Sequence, residues 1–265
     1  MTQLNAFKVF PKKTILGINM SFLNAVSRAL HAYHTNLKLL SFFSIPLLIA
    51  FPLLMLLPNY ASLGGIFLRL GSLGVDVSLP EILYMLVVLC ISLLLFSFGI
   101  VAVNSVVRAQ RTFNKIRHVE LERMEEATFR LFGLLIIVFI AIFAFNLLLY
   151  EVQASERVRV ILNSLFALGA SLLVLFAPQA IVLDNARTEH ALALSASLLS
   201  HKPLSVIALL ILGGVLVALN ALIFTSLQPF FSYAPLVGLA VNSLLLVPFL
   251  EVVKVQLYLS KYTLL

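Results

Sequence analysis

The chain has 265 residues, of which 62% are hydrophobic and 11% charged, and it carries a formal net charge of +7. A soluble domain is nearer about 45–50% apolar and about 25% charged, and so few charges cannot build a water-facing surface, which excludes a soluble globular protein. The basic balance comes with no basic-aromatic platform or reader motif, so nucleic acid is set aside as a ligand.

In chain order, residues 1–36 read as a cytoplasmic N-terminal segment. Residues 1–19 hold Lys8, Pro11, Lys12 and Lys13 and no compact apolar core ahead of a cleavage site, so no removable signal is expected. Thr2 and the final Tyr-Thr-Leu-Leu suggest neither myristoyl nor prenyl attachment. Phe22, Leu23, Val26, Leu30, Tyr33 and Leu37 then recur at helical spacing, with Ser27, Arg28, His31 and His34 between them. This predicts an amphipathic helix lying in the membrane interface.

Six apolar stretches follow, over residues 37–57, 82–107, 131–150, 158–183, 203–226 and 235–260. Each is near or above the roughly 20 residues that a helix needs to cross about 30 Å of hydrocarbon. The expectation is an all-α, polytopic six-transmembrane-helix bundle occupying residues 37–265, built as three hairpins with amphipathic cytoplasmic interfacial helices. Cys90 lies inside the second stretch, which leaves no internal disulfide to form and no thiolate metal site.

The connections differ in character. Residues 58–80 are apolar yet carry Gly64, Gly65, Gly71 and Gly74, and Ile66, Phe67, Leu68 and Leu70 suggest a segment lying on or dipping into the outer leaflet. Residues 108–130 are highly charged, with Arg123, Glu126 and Arg130 spaced for ion pairs along one helix. Residues 191–199 form a weaker amphipathic segment before the fifth stretch. Of the 18 Lys and Arg, only Arg69, Arg157 and Arg159 fall on the side opposite the termini. By the positive-inside rule both termini face the cytoplasm. The charge then serves orientation and attraction of anionic lipid.

Chemistry is sparse. Span four ends Pro178-Gln179-Ala180-Ile181-Val182-Leu183-Asp184, and span six ends Pro248-Phe249-Leu250-Glu251-Val252-Val253-Lys254. A proline inside a helix frees a carbonyl and bends the rod, so bend, backbone polarity and charge coincide at these ends. Arg108, Asp184, Arg187, Ser195, Glu251 and Lys254 form a candidate polar network, functional or structural. Glu251 and Lys254 are spaced to pair, and Asp184 can meet Arg187 or Arg108. The structural reading, an ion-pair network tying the helix ends, is preferred to an ion or substrate pathway. Asn146, Asn163, Asn220 and Asn242 form a candidate polar layer at one depth, read as hydrogen-bonded glue. Gly213-Gly214 with Ala218 reads as a close-packing surface. His31 and His34, three apart on one helix, could share a metal with His190 or His201 if the helices meet. Two histidines make no site without a third ligand and an orienting second shell, so they read as interfacial side chains and no metal or other cofactor is expected.

The Asp184, Ala191 and Ser195 spacing after Phe176-Ala177-Pro178, with Ser21-Phe22-Leu23-Asn24-Ala25 near the start, resembles a broad group of uncharacterised prokaryotic six-helix membrane proteins. That group includes the membrane domain fused to some bacterial glycerophosphodiester phosphodiesterases. In that pattern the acid is usually Glu, and a large aromatic often follows the Ser; here the acid is Asp and there is no Trp. The resemblance implies the fold and a prokaryotic cytoplasmic membrane, and no activity. A phosphate-binding glycine loop, a His-Glu-x-x-His motif and a Gly-x-Ser-x-Gly elbow are all missing, so catalysis is not favoured. The preferred function is a non-catalytic module binding lipid, anionic lipid in particular, or a protein partner on its cytoplasmic face. The alternatives are a small transporter or channel using spans four and six, and an intramembrane lipid enzyme built on Asp184, Ser195 and a histidine.

Overall fold

The computed structural model describes residues 17–55, 60–63, 66–69, 79–112, 118–152 and 155–260. Helices dominate: α1 (Gly17–Thr35), α2 (Leu37–Phe43), α3 (Ile45–Met55), α4 (Leu79–Thr112), α5 (His118–Glu151), α6 (Glu156–Val174), α7 (Ala177–Leu183), α8 (Thr188–His201), α9 (Pro203–Leu227), α10 (Ala234–Val241) and α11 (Val247–Leu259). A π-helical turn, Asn242–Leu246, joins α10 to α11. Among the described residues five helical rods are long and apolar enough to cross a membrane, namely Leu83–Ala109, Glu122–Leu149, Arg157–Leu183, Pro203–Leu227 and Ala234–Leu259. The bent pair Leu37–Phe43 and Ile45–Leu54, angled at 41°, makes six if it counts as one span.

That bend has a local cause. Ser44 sits between α2 and α3, and its hydroxyl donates back to the Leu40 carbonyl at 2.6 Å, a bond that bends helices. Backbone bonds nevertheless run through the bend, from Ser44 N–H to Leu40 O and from Leu48 N–H to Ser44 O. They also run through Asn36, so α1, α2 and α3 form one angled rod. The same back-bonding satisfies Ser92, Ser97, Asn104 and Thr128 inside α4 and α5. In hydrocarbon, where water cannot supply a partner, that is the simplest way to carry a hydroxyl or amide.

The charged 108–130 region is not a separate interfacial helix. Its described residues are the ends of α4 and α5, each 34 residues long. At 1.5 Å per residue each rod is about 50 Å, well beyond the hydrocarbon thickness. Of the 58–80 connection, Tyr60–Leu63 (β1) and Ile66–Arg69 (β2) are described and pair as an antiparallel hairpin, with Leu63 opposite Ile66. The two intervening residues are Gly64 and Gly65, a composition suited to tight hairpin turns. A two-stranded ribbon has open edges that lipid tails cannot satisfy, so it belongs outside the hydrocarbon. The remaining residues of this connection lie outside the described residues.

The centre of the bundle is α11. Pro248 and every residue from Leu250 to Tyr258 are buried, with α1, α4, α7 and α9 packed around them. α1 buries Ala25 and Ala29 completely, whereas Leu23 and Leu30 are more than half exposed. The small alanines let α1 approach α11, so the predicted apolar stripe divides between helix packing and outward-facing leucines. α4 is the other core helix, with 61% of its most apolar stretch buried, against 11% for α5 and 17% for α9. Gly99 makes the α3–α4 seam possible: a Cβ there would lie 2.7 Å from the Leu47 side chain. Leu54, Val88, Leu89 and Leu93 continue that seam as a second cluster.

Candidate functional site: a buried polar network and a basic recess

Pro178 breaks span four. With no N–H and a ring that clashes with the preceding turn, it ends α6 at Val174 and sits in the first turn of α7, where proline is tolerated. The break leaves the Phe176 N–H without a helical partner, and the buried hydroxyl of Ser195 on α8 accepts it at 3.1 Å. Ser195 is thus a cap on an interrupted membrane helix.

One turn further on, Gln179 points at α11. Its Nε2 donates to Glu251 Oε2 at 2.8 Å and to Asn104 Oδ1 at 3.2 Å. Asn104 Nδ2 donates to Glu251 Oε2 at 3.3 Å, and Lys254 Nζ to Glu251 Oε1 at 2.6 Å. Three polar side chains from α4, α7 and α11 thus meet around one carboxylate. Glu251 is 2% exposed and Lys254 6%. Gln179 Oε1 faces the interior without a hydrogen-bond partner. Beside Lys254 a cavity of about 20 Å³ is lined by Leu175, Gly213 and Gly214, among others. Gly213 faces inward while a Cβ on Gly214 would meet open space, so the glycine pair flanks this cavity.

At the end of α7 a second group of residues assembles. Asn185 adopts a left-handed backbone (φ 52°), the conformation that commonly ends helices. Arg130 on α5 donates to Asn185 Oδ1 at 3.0 Å and pairs with Glu126. Arg108 on α4 donates to the Val182 carbonyl. Asp184 accepts from the Tyr258 hydroxyl at 2.6 Å. Ser105, Arg108, Arg123, Val182 and Asn185 help line a recess of about 30 Å³. Arg187 is exposed at the start of α8.

The asparagines do not meet: among the described residues no hydrogen bond joins one of Asn146, Asn163, Asn220 and Asn242 to another. Asn220 Nδ2 instead donates to the Gly238 carbonyl at 2.9 Å, tying α9 to α10. Asn163 Oδ1 and Asn242 Oδ1 are buried without a partner. His31, His34 and His190 are exposed, and His201 Nδ1 lies 2.7 Å from the Ser197 carbonyl. Among the described residues no three metal-ligating side chains converge. Outside the spans, Lys202 donates to Ser260 Oγ at 2.7 Å and to its carbonyl at 3.1 Å, and burial pushes its ammonium pKa down.

Sequence reasoning missed Asn104, Gln179 and Tyr258. The available signal was an isolated polar residue inside an apolar run, as in Val-Asn-Ser-Val around Asn104 and Pro-Gln-Ala around Gln179. The chain matches no protein-family model, no curated protein and no solved structure. The resemblance carried by Asp184, Ala191, Ser195, Phe176-Ala177-Pro178 and Ser21-Phe22-Leu23-Asn24-Ala25 therefore rests on the sequence pattern alone.

Proposed function

We propose that this protein is a non-catalytic multi-pass membrane module that binds anionic lipid at its basic end. The observation that carries the reading is a division of labour among the polar groups. Asp184, Ser195, Glu251 and Lys254 are each committed to bonds that hold one helix to another or close an ion pair. Arg108, which also donates to the Val182 carbonyl, and Arg123 line a recess at the end of α7. The positive-inside rule puts that end on the cytoplasmic side, where anionic headgroups concentrate. The test is unfolding of the purified protein in bilayer discs of phosphatidylglycerol or phosphatidylcholine. Greater stability in phosphatidylglycerol, fading as salt rises, is expected; equal stability in the two lipids would overturn the proposal.

A small transporter is the second reading, and one arrangement favours it. The α6–α7 break and the π-turn before Pro248 interrupt the two spans that contribute Gln179 and Glu251 to the network, and interrupted helices commonly flank transport sites. Single cysteines placed along 246–256 in a Cys90→Ala background, labelled with a membrane-impermeant thiol reagent, separate the two. Labelling several turns deep on one helical face would favour transport.

A further inference from the structure

We propose that the recess between α4, α5 and the α7–α8 turn is a site for one phosphate group, with a phospholipid headgroup as its principal source. This deepens the lipid-binding reading and rests on it. Two guanidiniums, those of Arg108 and Arg123, line the recess, Arg108 donating to Val182 O, and a third, Arg130, donates to Asn185 on its wall. Arg123, Ala127 and Arg130 stand at i, i+4 and i+7, so one face of α5 is aimed at the turn. Of the carboxylates nearby, Glu126 pairs with Arg130, Asp184 accepts from the Tyr258 hydroxyl, and Glu122 and Glu125 are exposed residues of α5.

The donors suit an anion of tetrahedral oxygens. A guanidinium is a planar fork that matches phosphate oxygens two at a time, and Ser105 on the wall brings a hydroxyl. Arg108 and Arg130 are anchored by carbonyls and an amide oxygen, so their charge is held in place before any ligand arrives. Arg123 is exposed at the mouth. Basic pockets between membrane helices at the cytoplasmic level are the usual form of a headgroup site.

The test uses the full chain in mixed micelles of phosphatidylglycerol or phosphatidylcholine, with lipids retained counted by native mass spectrometry and thermal stability followed in parallel. Arg123→Ala is expected to weaken phosphatidylglycerol retention about tenfold or more, the effect of losing a charge-assisted hydrogen bond to phosphate. Arg28→Ala, the same charge change at an exposed position on α1, is expected to lose at most the few-fold general attraction of one surface charge. Arg123→Lys recovers only part of the loss, because an ammonium offers no planar fork. Equal losses in Arg123→Ala and Arg28→Ala would overturn the site while leaving general attraction of anionic lipid intact. No phosphatidylglycerol preference in the unmodified protein would instead overturn the lipid-binding reading itself. If inorganic phosphate stabilises the unmodified chain but not Arg123→Ala, the phosphate site stands and its source is a free phosphate.

Discussion

Removing either partner of the Glu251–Lys254 pair should cost far more than removing both. In Lys254→Met, Glu251 keeps the Gln179 and Asn104 donors on Oε2 but loses the one on Oε1, in a site where the residue is 2% exposed. Breaking a buried pair costs about 3–5 kcal/mol, and the two remaining amide donors place this variant near the lower figure. Glu251→Gln leaves an ammonium among apolar side chains and should lose about 3–5 kcal/mol as well. The double variant removes both charges while keeping similar volume, and should return to within about 1–2 kcal/mol of the parent. The assay is equilibrium unfolding in mixed micelles with increasing dodecyl sulfate, followed by helical circular dichroism. A coupling of at least about 2 kcal/mol is expected from the cycle. Additive losses, with the double variant worse than either single one, would refute the account of a mutually dependent buried pair.

Ser195→Ala should destabilise the same transition by about 1–3 kcal/mol, since it strips a buried N–H, that of Phe176, of its acceptor. Gly99→Ala should lose about 1–3 kcal/mol by pressing a methyl against Leu47, and adding Leu47→Ala should recover part of that loss even though it shortens a core side chain. Lys202 supplies a pH dependence of defined sign. Burial lowers its folded pKa below the ordinary 10.5, so between the two values the unfolded chain binds more protons. Stability should rise with pH as the medium passes through the lowered value towards 10.5. Melting of Lys202→Met across alkaline pH should lack this rise, and an unchanged slope would refute the assignment.

The apolar stretches were legible because each depends only on local composition: that at 82–107 lies within α4 and that at 131–150 within α5. Pro178 announced its break for an equally local reason, a missing N–H. Glu251 and Lys254 were legible as a pair because three residues separate them on one helix. Their wider partners were not. Asn104 lies 147 residues from Glu251 and Gln179 72, and no local rule says which helices will touch. Ser195 was legible as a polar residue at a helix end but not as a cap, because the N–H it satisfies is created by a proline on another helix. The apolar spacing of α1 was legible, but its contact with α11 was not, because that contact is carried by the small residues Ala25 and Ala29.

The encasement of α11 bears on how such a chain is made. Synthesis delivers segments from the N-terminus onward, so α4 and α7 enter the bilayer before the helix that they surround exists. Until α11 arrives, Asn104 and Gln179 keep their bond to each other but lack the carboxylate they share, and incompletely bonded amides in hydrocarbon invite other partners. Assembly of this bundle is therefore completed from the inside. Its most buried helix is inserted after the helices packed around it, and a nascent chain stalled before Val247 would leave Asn104 and Gln179 facing the membrane without their carboxylate.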